Sequence, residues 1–141
     1  MFRKKVSLMS ARPLVAIIED DDSLRPALGG LVRSLGYDGD EFASAEAFMS
    51  SDARSRANCL VTDFQLPGLN GIELAAKLKG LLPIIMITAR TERALDTLAK
   101  ENDVLCLLRK PFEADDLAAC IRRALDSSPR GAQKVNRDNP G

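Results

Sequence analysis

Residues 14–36 read LVAIIEDDDSLRPALGGLVRSLG and hold a pattern that recurs along the chain. The first five of them form an unbroken apolar run, as expected for a strand buried on both faces of a parallel sheet. Apolar residues then recur at helical spacing, at Leu24, Leu28, Leu31, Val32 and Leu35. Asp22 or Ser23 is placed to cap the start of this helix, and Gly36 to end it. A strand followed by a helix is therefore predicted.

The same alternation of a short apolar run and a longer amphipathic run occurs four more times. Further strands are predicted at residues 37–43, 59–62, 83–88 and 104–108, and further helices at residues 45–49, 74–81, 94–99 and 117–125, with a loop at residues 50–56. Such α/β units join through right-handed crossovers into an open parallel sheet with helices on both faces. The second strand has little to bury and is predicted to lie at an edge.

Length, charge and hydropathy limit the kinds of protein that this chain can be. Its 141 residues fit one domain, because about 110 to 120 residues bury enough apolar surface to be stable. We assign residues 13–126 to that domain, residues 1–12 to a flexible N-terminal segment and residues 127–141 to a disordered tail. The 20 basic and 20 acidic side chains cancel, so no global field favours nucleic acid or an anionic membrane. No apolar run approaches the roughly 18 residues of a membrane span.

The cysteines and the N-terminus bear on the location of the protein. Cys59, Cys106 and Cys120 are odd in number, lie within apolar runs and lack a metal-binding spacing, which predicts buried thiols in a reducing cytoplasm. Residues 1–5 resemble the charged head of a signal peptide, but the apolar run after them is interrupted, so export is not expected. Met9 is an alternative native start.

Polar side chains stand at the carboxyl ends of four predicted strands. In chain order they are Glu19 and Asp20, Asp63, Thr88 and Lys110. A single carboxylate at such a place is most often a helix cap or part of a turn, and a single lysine is most often solvated. In an open parallel sheet, however, these ends form the edge at which ligands bind. The set as a whole therefore predicts a site.

The residue types in this set suit transfer of a phosphoryl group to a carboxylate. Crowded carboxylates repel one another unless a hard cation lies between them, and Mg²⁺, or Mn²⁺ in its place, takes carboxylate, water and phosphate oxygens as ligands. The cation, a lysine ammonium and a hydroxyl donor could each stabilise the charge on a phosphoryl group. Asp63 is then the predicted nucleophile.

Four blocks of the sequence resemble the signatures of response-regulator receiver domains. The blocks are IIEDD at residues 17–21, VTDFQLPGLNG at residues 61–71, PIIMITA at residues 83–89 and KPF at residues 110–112. They stand in the family's order and spacing, and the resemblance covers residues 13–126. It implies a flavodoxin-like, CheY-like fold with strand order 2-1-3-4-5, in which the weak second strand lies at an edge.

The resemblance also implies roles for single residues. Asp63 corresponds to the phosphoacceptor, and Glu19 and Asp20 to the acidic pair that holds the metal with it. Gln65 stands at the position whose backbone carbonyl completes the metal site. Glu19 is an aspartate in many receivers, but the glutamate keeps the carboxylate.

Two further positions of the family read the acyl phosphate, and a third transmits the signal. Thr88 and Lys110 match the first two, and the bond from Lys110 to Pro111 is similar to one that the family holds cis. Leu107 stands where the family usually has a tyrosine or phenylalanine that turns inward with the threonine. A leucine has no aromatic edge or hydroxyl, so we expect an altered readout.

By the same resemblance, the chain is expected to be a stand-alone response regulator of a two-component system or phosphorelay. A histidine kinase or histidine phosphotransfer protein would be the donor, because residues 1–141 contain no histidine that could supply the phosphoryl group. The chain would catalyse only its own phosphorylation and dephosphorylation. About fifteen residues follow the last predicted helix, too few for a helix-turn-helix, so we expect no direct DNA binding and an output through another protein. A homodimer through the fourth helix, fifth strand and fifth helix is left open.

Two other functions compete with this interpretation. Asp20-Asp21-Asp22 is similar to the D-x-D motif of haloacid-dehalogenase-like phosphatases. Those enzymes, however, place the nucleophile after the first strand and an acidic pair after the fourth, and they need room for a cap domain. A pseudo-receiver that acts as an unphosphorylated scaffold is the second alternative. Leu107 favours it, while the complete acidic, threonine and lysine set disfavours it.

Overall fold

The computed structural model of the protein describes residues 12–127. Apart from Arg12 and Ser127, the two predicted terminal segments and the alternative start at Met9 lie outside the described residues. The last helix includes Ser127, which the sequence analysis assigned to the tail. The division of the chain into a domain and two terminal segments stays a prediction.

Five strands and six helices make up the described part of the chain. The strands are β1 (Leu14–Ile18), β2 (Asp38–Phe42), β3 (Cys59–Asp63), β4 (Ile84–Thr88) and β5 (Val104–Arg109). The helices are α1 (Leu24–Ser34), α2 (Ala45–Ser50), α3 (Ala53–Arg56), α4 (Gly71–Lys77), α5 (Ala94–Glu101) and α6 (Ala114–Ser127). Every predicted strand and helix is present, with ends that differ by a few residues. None of the helices within residues 12–127 is long and apolar enough to cross a membrane.

All five strands run parallel, in the order β2-β1-β3-β4-β5. This confirms the predicted flavodoxin-like fold. Every residue of β1, β3 and β4 is buried, because their apolar runs are covered on both faces. β2 reads DGDEF and is mostly half-buried; it lies at the edge, as predicted.

Alternate residues of the central strands contribute to two separate cores. Ala16 and Ile18 of β1 belong to a core that also contains Phe48 of α2 and Leu74 of α4. Their neighbours in β1 belong to the other core, together with residues of α1 and α6 such as Ile121. The helices therefore lie on both faces of the sheet, and each strand residue is assigned to one face by the two-residue period.

The three cysteines lie in the core that β1 shares with α1 and α6. Cys59, Cys106 and Cys120 are all buried and free. Burial raises the pKa of Cys59 to about 12, so this thiol stays protonated at neutral pH. The prediction of buried core thiols is confirmed.

The structure contains one helix that the sequence did not predict, and another helix ends earlier than predicted. Residues 50–56, predicted to be a loop, contain the one-turn helix α3, which buries Ala53. The helix α4 ends at Lys77, so Leu81 lies beyond it and is 59% exposed. Gly80, with a φ of 80°, supplies the left-handed residue that turns the chain after α4.

The cap at the start of α1 also differs from the prediction. The side chains of Asp22 and Ser23 do not cap this helix; instead Asp21 Oδ1 accepts hydrogen bonds from the N–H groups of Ser23 and Leu24. The end of the helix is as predicted, because Gly36 adopts a φ of 97° there. The acids that follow β1 are therefore divided between a cap and the predicted site.

Candidate functional site

The sheet brings the predicted site residues to one edge. Glu19 and Asp20 follow directly after β1, and Asp63 is the last residue of β3, which is next to β1 in the sheet. Thr88 ends β4 and Lys110 follows β5. Because all strands are parallel, these positions lie at the carboxyl ends of the strands, as the sequence predicted.

Three carboxylates form a compact cluster at the centre of this edge. One oxygen each of Glu19, Asp20 and Asp63 lies within 4.8 Å of the other two. Glu19 and Asp63 are buried, while Asp20 is exposed. The cluster therefore opens to solvent on the Asp20 side, where a ligand can enter.

Asp63 has a different partner on each carboxylate oxygen. The Lys110 ammonium donates to Oδ2 over 3.2 Å, and the backbone N–H of Gln65 donates to Oδ1 over 3.1 Å. The ammonium joins the ends of β3 and β5 across the intervening strand β4. The carboxylate is thus held in one orientation while its side chain stays 11% exposed.

Glu19 is the most deeply buried acid of the cluster. Its Oε2 atom accepts the backbone N–H of Asp21, but its Oε1 atom has no hydrogen-bond partner among the described residues and lies 3.8 Å from the Lys110 ammonium. Burial, together with the nearby charge of Asp63, raises the pKa of Glu19 to about 7, although the Asp21 N–H and Lys110 act in the opposite direction.

The unpaired oxygen of Glu19 is the observation that tests whether these residues fit a metal ion. A buried carboxylate oxygen without a donor is unfavourable, and a divalent cation would supply the missing positive charge. Three clustered carboxylates with an open side are an oxygen-rich ligand set that suits Mg²⁺. The residues present therefore fit the cation. The carbonyl of Gln65 as a further ligand stays a prediction.

Thr88 is buried, and its hydroxyl faces the loop that follows β4. The Oγ1 atom accepts the backbone N–H of Arg90 over 2.9 Å. The strand itself is fixed here, because the N–H of Lys110 donates to the Thr88 carbonyl over 2.8 Å. The backbone of Thr88 is therefore held independently of its hydroxyl.

Sequence reasoning missed one residue that supports the acidic pair. The guanidinium of Arg25, in the first turn of α1, donates to the backbone carbonyl of Glu19 over 2.9 Å and forms an ion pair with Asp22. This contact fixes the turn that carries Glu19 and Asp20. A backbone acceptor leaves no mark in the sequence; the only signal is an arginine shortly after the acids.

A glycine brings α4 against the loop that follows Asp63. A Cβ atom on Gly71 would lie 2.9 Å from the Asp63 carbonyl oxygen and 3.0 Å from the Cα atom of Phe64. The N–H of Gly71 also donates to the Phe64 carbonyl. Just before it, Asn70 and Glu73 form a capping box at the start of α4. The loop is therefore tied to the helix directly behind the site.

Two other predicted features have clear positions in the structure. The bond between Lys110 and Pro111 is cis, as the resemblance implied. Leu107 is half-buried in β5 and packs against the core on the α4 side of the sheet. The altered readout expected from a leucine at this position stays a prediction.

Most of the sequence matches a known protein family. Residues 15–122 match the model of the response regulator receiver domain. The chain belongs to this family. A receiver domain is a module of two-component signalling, and membership speaks against the phosphatase alternative.

Relatives of this receiver domain include proteins and solved structures from several bacteria. It is 32% identical over 120 residues to the response regulator protein TodT of Pseudomonas putida, covering 83% of this chain and 53% of TodT. It is 31% identical over 128 residues to the transcriptional regulatory protein FixJ of Bradyrhizobium diazoefficiens, covering 89% of this chain and 62% of FixJ. A response regulator receiver protein from Burkholderia phymatum has a TM-score of 0.72 and 31% identity, covering 84% of this chain and 99% of that one.

The receiver chain spans less than two thirds of the length of TodT and of FixJ. The rest of each relative lies outside the matched segment. The targets and partners of TodT and FixJ belong to those longer proteins.

Proposed function

We propose that this receiver accepts a phosphoryl group on Asp63 from a phosphohistidine. An Asp63 carboxylate oxygen attacks phosphorus, the bond from phosphorus to the histidine nitrogen breaks, and the imidazole leaves with that electron pair and takes up a proton. A histidine kinase or a histidine phosphotransfer protein is the donor, since residues 1–141 contain no histidine that could carry the phosphoryl group.

The contacts of Asp63 are the observation that carries this proposal. Its carboxylate is buried and held from both sides by the Lys110 ammonium and the Gln65 N–H, so the nucleophile is oriented before the donor arrives. After transfer, Lys110 remains close enough to neutralise charge on the phosphoryl oxygens. The Thr88 hydroxyl, at the end of the neighbouring strand, becomes a donor to one of those oxygens.

A divalent cation, Mg²⁺ or Mn²⁺, belongs to the proposed reaction. Glu19, Asp20 and Asp63 would hold it, together with the carbonyl of Gln65. When bound, it supplies positive charge that offsets the carboxylates and the phosphoryl oxygens. Arg25 keeps the turn of Glu19 and Asp20 in place for this ligand set.

The proposed setting is a bacterial signalling pathway in the cytoplasm. The free buried thiols suit a reducing compartment. We propose that the output of this receiver is a contact with another protein. A homodimer through α5, β5 and α6 stays a prediction, which sedimentation with and without a phosphoryl mimic tests.

Phosphorylation by a small-molecule donor tests the proposal. Acetyl phosphate with Mg²⁺ should add one phosphoryl group to the intact protein, detected by mass spectrometry. The Asp63→Asn variant should gain none, whereas Asp115→Asn, which changes an exposed aspartate in the first turn of α6, should behave as the wild type. An unlabelled wild type would favour the pseudo-receiver scaffold, and equal labelling of Asp63→Asn would refute the assignment of the acceptor.

A further inference from the structure

Arg109, the last residue of β5, contacts both the loop after β4 and the helix α5. Its guanidinium donates to the carbonyl of Arg90 over 3.1 Å and to the carbonyl of Glu92 over 3.0 Å. Both terminal nitrogens also reach the carboxylate of Asp96 in α5, at 3.2 Å and 3.3 Å. One side chain therefore connects the end of β5 to the loop and to the following helix.

The loop held by Arg109 is the one that binds the Thr88 hydroxyl. The N–H of Arg90 donates to Thr88 Oγ1, while the carbonyl of the same residue accepts from Arg109. The side chains of Arg90 and Glu92 pair with each other, and the Arg90 guanidinium lies 5.5 Å from the centre of the Phe64 ring. The backbone of the loop is thus fixed from the Thr88 side and from the Arg109 side at once.

Phosphorylation would break the contact of the loop with Thr88 but not its contacts with Arg109. On the proposed function, the Thr88 hydroxyl turns to a phosphoryl oxygen, and the N–H of Arg90 loses its acceptor. Without that bond, the backbone of the loop is no longer held on the Thr88 side and is free to move. The contacts from Arg109 oppose that movement, because they hold the carbonyls of residues 90 and 92 in their present positions.

We propose that Arg109 is a positioning residue that holds the loop after Thr88 in its unphosphorylated arrangement and so controls how readily the phosphorylated site captures the Thr88 hydroxyl. This inference rests on the proposed function. Lys110, the next residue, contacts Asp63, so two neighbouring side chains at the end of β5 contact the phosphoacceptor and the loop. Since Leu107 has no aromatic ring, the guanidinium supplies a connection from the site to α5 that does not depend on one.

The plain alternative is that Arg109 only adds stability at the surface. A half-exposed ion pair such as the one with Asp96 contributes little by itself. The two backbone carbonyls distinguish the interpretations, because they belong to the residues that must move. A stabilising residue would affect both arrangements of the loop alike, whereas a positioning residue favours one of them.

The affinity for beryllofluoride, a mimic of the phosphoryl group, tests this inference in the full chain. With saturating Mg²⁺, Arg109→Ala should bind the mimic about five-fold more tightly than the wild type, because the contacts that oppose the loop movement are gone. The affinity for Mg²⁺ alone should stay the same. Arg109→Lys keeps the charge but lacks the fork that reaches two carbonyls, so it should resemble Arg109→Ala.

Arg123→Ala is the matched control. It removes an arginine of α6 whose guanidinium contacts Cys106 rather than the loop, and its affinity for beryllofluoride should equal that of the wild type. Asp96→Asn should give an intermediate increase, since Arg109 keeps the two carbonyls; this variant also serves if Arg109→Ala folds poorly.

The outcomes separate the inference from the proposed function. Unchanged or weaker binding of beryllofluoride by folded Arg109→Ala, or by Asp96→Asn if the former does not fold, overturns the role of Arg109 while leaving phosphorylation of Asp63 intact. If the wild type binds no beryllofluoride and takes no label from acetyl phosphate, the proposed function fails, and this inference fails with it.

Discussion

Glu19 buries a carboxylate whose Oε1 atom accepts no hydrogen bond among the described residues. Most buried polar atoms in proteins have a partner, so this atom marks a position prepared for a ligand rather than for packing. Its neighbour Asp20 is the exposed member of the cluster. The pair therefore combines a buried ligand with an accessible one.

Loss of the accessible ligand is the first prediction. Asp20→Asn removes one of three charges that attract the cation, so the affinity for Mg²⁺ should fall by at least about ten-fold. Titration followed by amide chemical shifts measures the change. Asp115→Asn is the control, because Asp115 is an exposed aspartate in the first turn of α6 and is not a member of the cluster. Equal affinity in the wild type and Asp20→Asn would show that the metal binds elsewhere.

The residues at the strand ends were predictable, but the contacts that orient them were not. The sequence placed Asp63, Thr88 and Lys110 at the carboxyl ends of strands, where the structure has them, and a parallel sheet brings these ends together. Arg25 and Arg109 were missed. Both donate to backbone carbonyls, which every residue possesses, so no residue type reveals the partner.

At the scale of elements, α4 depends on a glycine at its first position. The Cβ atom of an alanine at Gly71 would come within 3.0 Å of backbone atoms, which cannot rotate away. We expect Gly71→Ala to lower the free energy of unfolding by about 1 to 3 kcal/mol and to disturb the amide signals of the loop after Asp63. Urea denaturation measures the first effect.

The matched control for this variant is another helical glycine. Gly30 lies within α1, and a Cβ atom there meets nothing within 4 Å. Gly30→Ala should raise the free energy of unfolding by up to about 1 kcal/mol, because alanine loses less backbone freedom in a helix. Similar destabilisation by both substitutions would show that close packing at Gly71 is not the cause.

A third prediction concerns β5 and its Leu107. The side chain packs against the core, gains by staying buried and has no polar group, which favours one position in both states. With beryllofluoride and Mg²⁺, amide shifts should change more at residues 89–93 than at Leu107 and Leu108. Equal changes in the two segments would show that β5 takes part in the switch even without an aromatic residue at position 107.

The elements themselves show where sequence patterns are sufficient. Strands such as β1 and β4 were recognised because they are unbroken apolar runs. The helix α3 was missed because it is a single turn, ARSR, that buries one alanine, too short to show a period. The end of α4 was placed too late because Leu81 continues the apolar spacing, whereas the left-handed Gly80 interrupts the helix.

For the whole molecule, the proposed metal site should couple cation binding to stability. The three carboxylates come together only in the folded chain, so Mg²⁺ should bind the native state in preference to the unfolded one. At about ten times the dissociation constant, the melting temperature should rise by about 5 °C. Thermal unfolding followed by circular dichroism measures this shift. It should shrink strongly in Asp20→Asn at the same Mg²⁺ concentration, and an equal rise in that variant would point to nonspecific ion effects.

The edge strand β2 also matters for how molecules meet each other. An open strand exposes unpaired backbone groups that can recruit the sheet of a neighbouring copy, and proteins often guard such edges with charge. β2 carries Asp38, Asp40 and Glu41 within five residues. Each of them is paired with an arginine of its own chain, Arg12, Arg56 and Arg33 respectively, so a second copy that paired along β2 would have to desolvate these ion pairs. We therefore expect this edge to disfavour the joining of sheets between copies, even at high protein concentration.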